Sequence, residues 1–97
     1  MQATEEVYQL QCLEKSNKKE SEITFSLPEK CTAVLKILNA SEHEVRMLIN
    51  EELTEGTHTI CFTYGNLKGN YTIKLIIKCK NIIDINTLQI QIPFIHT

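Results

Sequence analysis

The sequence predicts an all-β chain folded as an antiparallel sandwich of about seven strands. Three observations carry this. Apolar residues recur with period two rather than 3.6, polar turn clusters interrupt them about every ten residues, and aliphatic side chains supply nearly all the core material. Hydrophobic residues make up 42% of the 97, with no Trp, three Phe and three Tyr. That content suits one globular domain with a single core.

Taken in order, Tyr8, Leu10 and Cys12 alternate with Gln9 and Gln11 as a first strand. Ile23, Phe25 and Leu27 form a second, stopped by Pro28, which lacks an N–H for pairing. Cys31, Ala33, Leu35 and Ile37 make a third stripe, and Val45, Met47 and Ile49 a fourth, with NASEH between them as turn material. His58, Ile60, Phe62 and Tyr64 precede the polar turn GNLKGN. The longest stripe follows, Tyr71, Ile73, Leu75, Ile77 and Cys79; Leu88, Ile90, Ile92 and Phe94 close the chain. Residues 41–53 also admit a helix, because Ser41 and Glu44 have capping-box spacing. Strand is the reading adopted, since every neighbour is β. The mixed-charge run EKSNKKESE at 14–22 reads as a solvated connection.

Charge and composition narrow the functional classes. Ten Lys and Arg against twelve Asp and Glu give a net charge of −2, with no basic stripe for phosphates. No nucleic-acid partner is expected. No apolar run approaches the ~20 residues that span a bilayer, so no membrane insertion is expected. The N-terminal MQATEEVYQL shows neither a basic n-region nor an apolar h-region, so no signal peptide is read there. The chain is then either cytoplasmic or a domain of a longer exported protein with Met1 added.

Candidate chemistry is sparse. Cys12, Cys31 and Cys79 fall on inward stripes, whereas Cys61 lies between Ile60 and Phe62 and points outward as an exposed thiol. At most one core bridge is expected, Cys31–Cys79 across the two sheets; four unpaired thiols acting as small apolar residues are the alternative. No CxxC or HxxxH spacing suggests a metal site. His43, His58 and His96 are scattered, and a His58–Cys61 pair fails because residues three apart in a strand face opposite ways. Glu51, Glu52 and Glu55 lack a calcium-loop pattern and read as a solvated turn. The glycosylation sequons at Asn39 and Asn70 are no more than composition supplies by chance. No catalytic residue and no cofactor is therefore assigned, and an enzyme is not expected.

The order of pieces is more specific. FSLPE at 25–29 is followed by Leu35 and Ile37, EV at 44–45, Leu48, EL at 52–53, GTHT at 56–59, Phe62, NLKGNY at 66–71 and Leu75. Over residues 23–78 this resembles the FlgD-type immunoglobulin-like family, which includes the C-terminal sorting domains of the type IX secretion system. The resemblance implies an Ig-like β-sandwich without catalytic machinery, acting as an accessory or interaction module of a secreted or cell-envelope bacterial protein. YQLQC replaces the "Y-P-N-P" segment usual in sorting domains, and beyond the strand matching Tyr71–Lys78 the chain continues through the 18 residues KNIIDINTLQIQIPFIHT. Both departures disfavour the sorting-domain alternative. EELTEG at 51–56 becomes the connection out of the fourth strand, with Gly56 turning the chain.

A third alternative, a carbohydrate-binding module, needs exposed aromatics, but Tyr8, Tyr64 and Tyr71 lie on inward stripes. The partner expected is protein: other domains of a parent chain or an envelope component. The last segment, with Leu88, Ile90, Ile92 and Phe94, is read as an edge strand through which copies of the chain could associate.

Overall fold

The computed structural model describes residues 10–15 and 19–92. It has seven strands: β1 (Gln11–Glu14), β2 (Glu20–Leu27), β3 (Cys31–Leu38), β4 (Glu44–Leu53), β5 (Gly56–Thr63), β6 (Gly69–Lys78) and β7 (Ile83–Ile92). β1, β2 and β5 form a three-stranded sheet, and β4, β3, β6 and β7, in that order, a four-stranded one. Every pairing is antiparallel. The result is a β-sandwich. Residues 44–53 are strand, not helix.

Period-two patterning builds the core between the sheets. β2 and β3 alternate buried and half-buried positions along their length, so Ile23, Phe25 and Leu27 face Cys31, Ala33, Leu35 and Ile37. Ile73, Leu75 and Ile77 of β6 complete the layer. Burying each such side chain is worth about 1.5–3 kcal/mol.

Three expectations are corrected. The run at 14–22 is not all connection, because β2 begins at Glu20 and Ser21 is fully buried. The last strand begins at Ile83, five residues before Leu88. Finally, Val45, Met47 and Ile49 do not share a face: Ile49 is buried, but Val45 and Met47 are exposed. The cause is a pair of register shifts. Leu35 pairs with Ile49 while Lys36 pairs with Met47, so Leu48 is an extra residue and reverses the phase of what precedes it; Ile37 pairs with Arg46 while Leu38 pairs with Glu44, so Val45 is a second extra residue.

The corner at 51–56 is tighter than a six-residue connection. Glu51, Glu52 and Leu53 still belong to β4, and Thr54–Glu55 alone carry the chain to the other sheet. Gly56 starts β5 at φ 117°, a conformation that side chains with a Cβ rarely adopt.

Candidate functional site

A sandwich has four edges, and each carries unpaired backbone groups unless something protects it. In this protein the four differ. The described part of β1 is four residues long. β4 carries Glu44, Arg46, Glu51 and Glu52 and is bent by its bulges. β5 lies on the same side of the sandwich as β4, and Arg46 ties the two: its Nη1 donates to the Thr63 carbonyl (3.0 Å) and its Nη2 to that of Tyr64 (3.4 Å). The bulge at Leu48 is what turns Arg46 to this side, since Arg46 pairs with the inward Ile37. Farther along, the His58 ring nitrogen Nε2 lies 2.8 Å from the Thr54 carbonyl. That side is stitched.

β7 is the least protected: among the described residues, one inward carboxylate, Asp84, which takes the N–H of Ile85, is all that guards it. It is ten residues long and pairs with β6 in unbroken register from Ile83 to Ile92. Asp84 is its one charged residue. Among the described residues, no strand pairs with its other edge. Leu88, Ile90 and Ile92 point into the core or pack against it, which makes β7 integral to the fold. Phe94 lies outside the described residues.

The first half of β7 reverses the polarity seen in the second. Asp84 and Asn86 take the half-buried inner positions, while Ile83 (70% exposed) and Ile85 (53%) face solvent beside Ile82 (53%). On the outer face Ile85 pairs with Ile76, and Ile76 with Val34, giving an apolar row across three strands that ends at the free edge. On the inner face the Asn86 Nδ2 is buried without a hydrogen-bond partner. Asp84 Oδ1 accepts the Ile85 N–H at 2.9 Å. Periodicity in the sequence located the second half of this strand and missed the first, because Asp84 and Asn86 occupy the positions where a core stripe would be sought.

Cys31 and Cys79 are joined by a disulfide with Cα atoms 4.4 Å apart. Both extend the β3–β6 ladder beyond the Thr32–Lys78 pair. The bridge thus links neighbours within the four-stranded sheet and does not cross between sheets. Cys61 is an exposed free thiol whose Sγ lies 3.9 Å from the Lys15 Nζ. His58 faces inward, its ring 5.9 Å from that of Phe25, so the two residues stand on opposite faces.

A buried polar cluster lies under β1. The Ser21 and Tyr64 hydroxyls are 2.7 Å apart, and Tyr64 donates to Glu14 Oε2 at 3.5 Å. Burial pushes the Cys12 thiol above its ordinary range, partly offset by a hydrogen bond with Ser21. Burial also raises the Tyr64 phenol, with Ser21 opposing and the Glu14 charge adding to the shift. Ser21 is fully enclosed and Tyr64 nearly so, while Cys12 and Glu14 are half-buried.

An open cleft of about 430 Å³ lies where the β3–β4 turn approaches β6 and β7. Asn39, Asn70, Thr72, Gln89 and Gln91 line it with amides and a hydroxyl. Asn39 Oδ1 is already occupied by the N–H groups of Ser41 and His43. Glu51, Glu52 and Glu55 do not converge, and no group of three metal-ligating side chains forms among the described residues. No described helix is long and apolar enough to cross a membrane. Comparison of the chain with family models, with curated proteins and with solved structures gives no match.

Proposed function

We propose that this chain is a non-catalytic, immunoglobulin-like interaction module that presents the free edge of β7 to an extended strand of a protein partner. The carrying observation is the contrast among its four edges: one is short, one charged and bulged, one stitched, and β7 alone long, regular and nearly uncharged. Strand addition at such an edge draws affinity from main-chain hydrogen bonds and selectivity from alternate side chains. Here the outward row of Val34, Ile76 and Ile85 would favour a partner with apolar side chains on one face. A seven-stranded sandwich of about 100 residues is the architecture that immunoglobulin-like modules use, and the accessory-module reading is preferred to a sorting signal on the YQLQC segment and on the full strand, β7, that follows Lys78. The Cys31–Cys79 bridge supports a secreted or cell-envelope setting, because such bonds persist in oxidising compartments.

Carbohydrate binding is a second reading, favoured by the amide-lined cleft. Among the described residues no exposed aromatic offers a stacking platform: Tyr64 is buried, and the Tyr71 hydroxyl is held by the Lys68 backbone at 2.9 and 3.1 Å.

The test uses isotopically labelled protein and a ten-residue peptide of alternating valine and threonine. Saturable shifts are expected in the amides of Ile83–Ile92 and are lost in Thr87→Pro, which removes one donor from the edge. Shifts centred on β4 or β5, or none, would overturn the proposal.

A further inference from the structure

We infer that the strand which fills the β7 edge is β7 of a second copy, paired antiparallel about a twofold axis at Ile85. This rests on reading β7 as a strand-accepting edge and names its occupant. A twofold interface is isologous: each residue meets the same partner viewed from either copy. With the axis at Ile85, that residue stands opposite itself. Ile83 then opposes Thr87 of the second copy, and Asp84 opposes its Asn86.

Two independent features of the monomer are resolved together in this register. On the outer face, the row Val34–Ile76–Ile85 runs up to the free edge and stops there, with Ile85 half exposed. Pairing about Ile85 joins it to its symmetry mate, so the apolar row continues without a break across an eight-stranded sheet. On the inner face, the Asn86 Nδ2 is a buried donor with no acceptor. Asp84, the only charge on the strand, uses Oδ1 for its neighbour's N–H. That N–H points to the free edge, so pairing at Ile85 transfers it to the Ile85 carbonyl of the second copy. The Asp84 carboxylate is thereby released toward Asn86 of that copy, directly opposed side chains being about 4.5–5.5 Å apart at Cβ. The twofold makes this exchange twice. Because the Nδ2 is enclosed in the monomer, the Asn86 amide turns toward the edge to make this bond, and the donor gains a charged acceptor, the stronger kind of hydrogen bond.

Neighbouring registers lose these matches. Moving the axis to Asp84 sets two carboxylates against each other, which is unfavourable in a strand pair. Moving it to Asn86 sets Asp84 against Leu88. Moving it to Leu88 sets Ile85 against Gln91 and Asn86 against Ile90. The unbroken β6–β7 register means that no bulge interrupts the free edge between Ile83 and Ile92.

The experiment places single cysteines on a background in which Cys12 and Cys61 are replaced by alanine and serine, leaving the Cys31–Cys79 bridge in place. Mild oxidation of Ile85→Cys should yield a disulfide-linked dimer as the main species. Gln89→Cys should remain monomeric, because its symmetry mate is eight residue steps away, about 27 Å along the strands. By sedimentation equilibrium the unmodified chain should be a dimer, Ile85→Lys a monomer, and Asp84→Ala at least tenfold weaker in self-association. Linkage through Gln89→Cys in place of Ile85→Cys would overturn the register. A chain that is monomeric at every concentration, with no linkage at Ile85→Cys, would overturn the second copy as occupant. In that case peptide binding at β7 still reports separately on whether the edge accepts a strand.

Discussion

Tyr64 shows how much one residue contributes here. Its ring meets Phe62 edge-on at 5.6 Å, its carbonyl accepts from Arg46, and its hydroxyl satisfies the buried Ser21. Losing that hydroxyl leaves a fully buried Ser21 short of its closest oxygen partner, at a cost of about 1–3 kcal/mol. The pH dependence follows from the direction of the two shifts. Cys12 and Tyr64 both ionise later in the folded chain than in the unfolded one, whose ordinary values are 9.0 and 10.0. Folding stability is therefore fully present below pH 9 and falls above it, as the unfolded state releases protons that the folded state retains. Tyr64→Phe should be less stable than the parent in urea unfolding near neutral pH, and the gap should narrow above pH 10. A constant gap across that range would show that the phenol does not titrate differently on folding.

At the scale of elements, strands were legible wherever period two was unbroken. β2, β3 and β6 kept one apolar stripe each, so their cores could be read directly from Ile23–Leu27, Cys31–Ile37 and Tyr71–Ile77. β4 was legible as a strand but not in phase, because Leu48 is an ordinary apolar residue and nothing in its identity marks it as a bulge. The candidate site divided in the same way. The second half of β7 announced an edge strand through Leu88, Ile90 and Ile92. The first half hid the apolar row, since Ile76 and Val34 become neighbours of Ile85 only once the sheet order is known. The disulfide pair could be chosen by strand phase, yet its placement within one sheet depended on β3 and β6 being adjacent. Since β7 supplies both a full ladder to β6 and three core contacts, deleting residues 87–97 should abolish cooperative folding. A truncated chain with a sharp thermal transition would show β7 to be dispensable.

For the whole molecule, the two long sides of the sandwich behave differently. One is closed by Arg46 and His58, which reach across between β4 and β5 or their connection. The other, where β1 and β7 approach each other, brings together the shortest described strand and the least protected one. The molecule measures 39 × 26 × 22 Å, and both ends of its described chain lie on that open side, in or beside β1 and β7. Any neighbour joined to the chain there would sit beside the proposed interface, and folding and association would be coupled through the same strand.

The bridge between Cys31 and Cys79 has a mechanical consequence. It fastens positions 48 residues apart, and β4, β5 and β6 lie wholly inside the loop it closes. A chain stretched from its two ends can peel away β1, β2 and β7, but the enclosed segment cannot pay out. Its extensible length is therefore shorter by about 160 Å, at 3.3–3.6 Å per residue. In single-molecule pulling the oxidised protein should reach full extension early, and adding a thiol reductant should release the missing length as a separate step. Equal extension in both conditions would mean that the bond does not form. For a module set in series with others under tension, redox state would then determine how far it can yield.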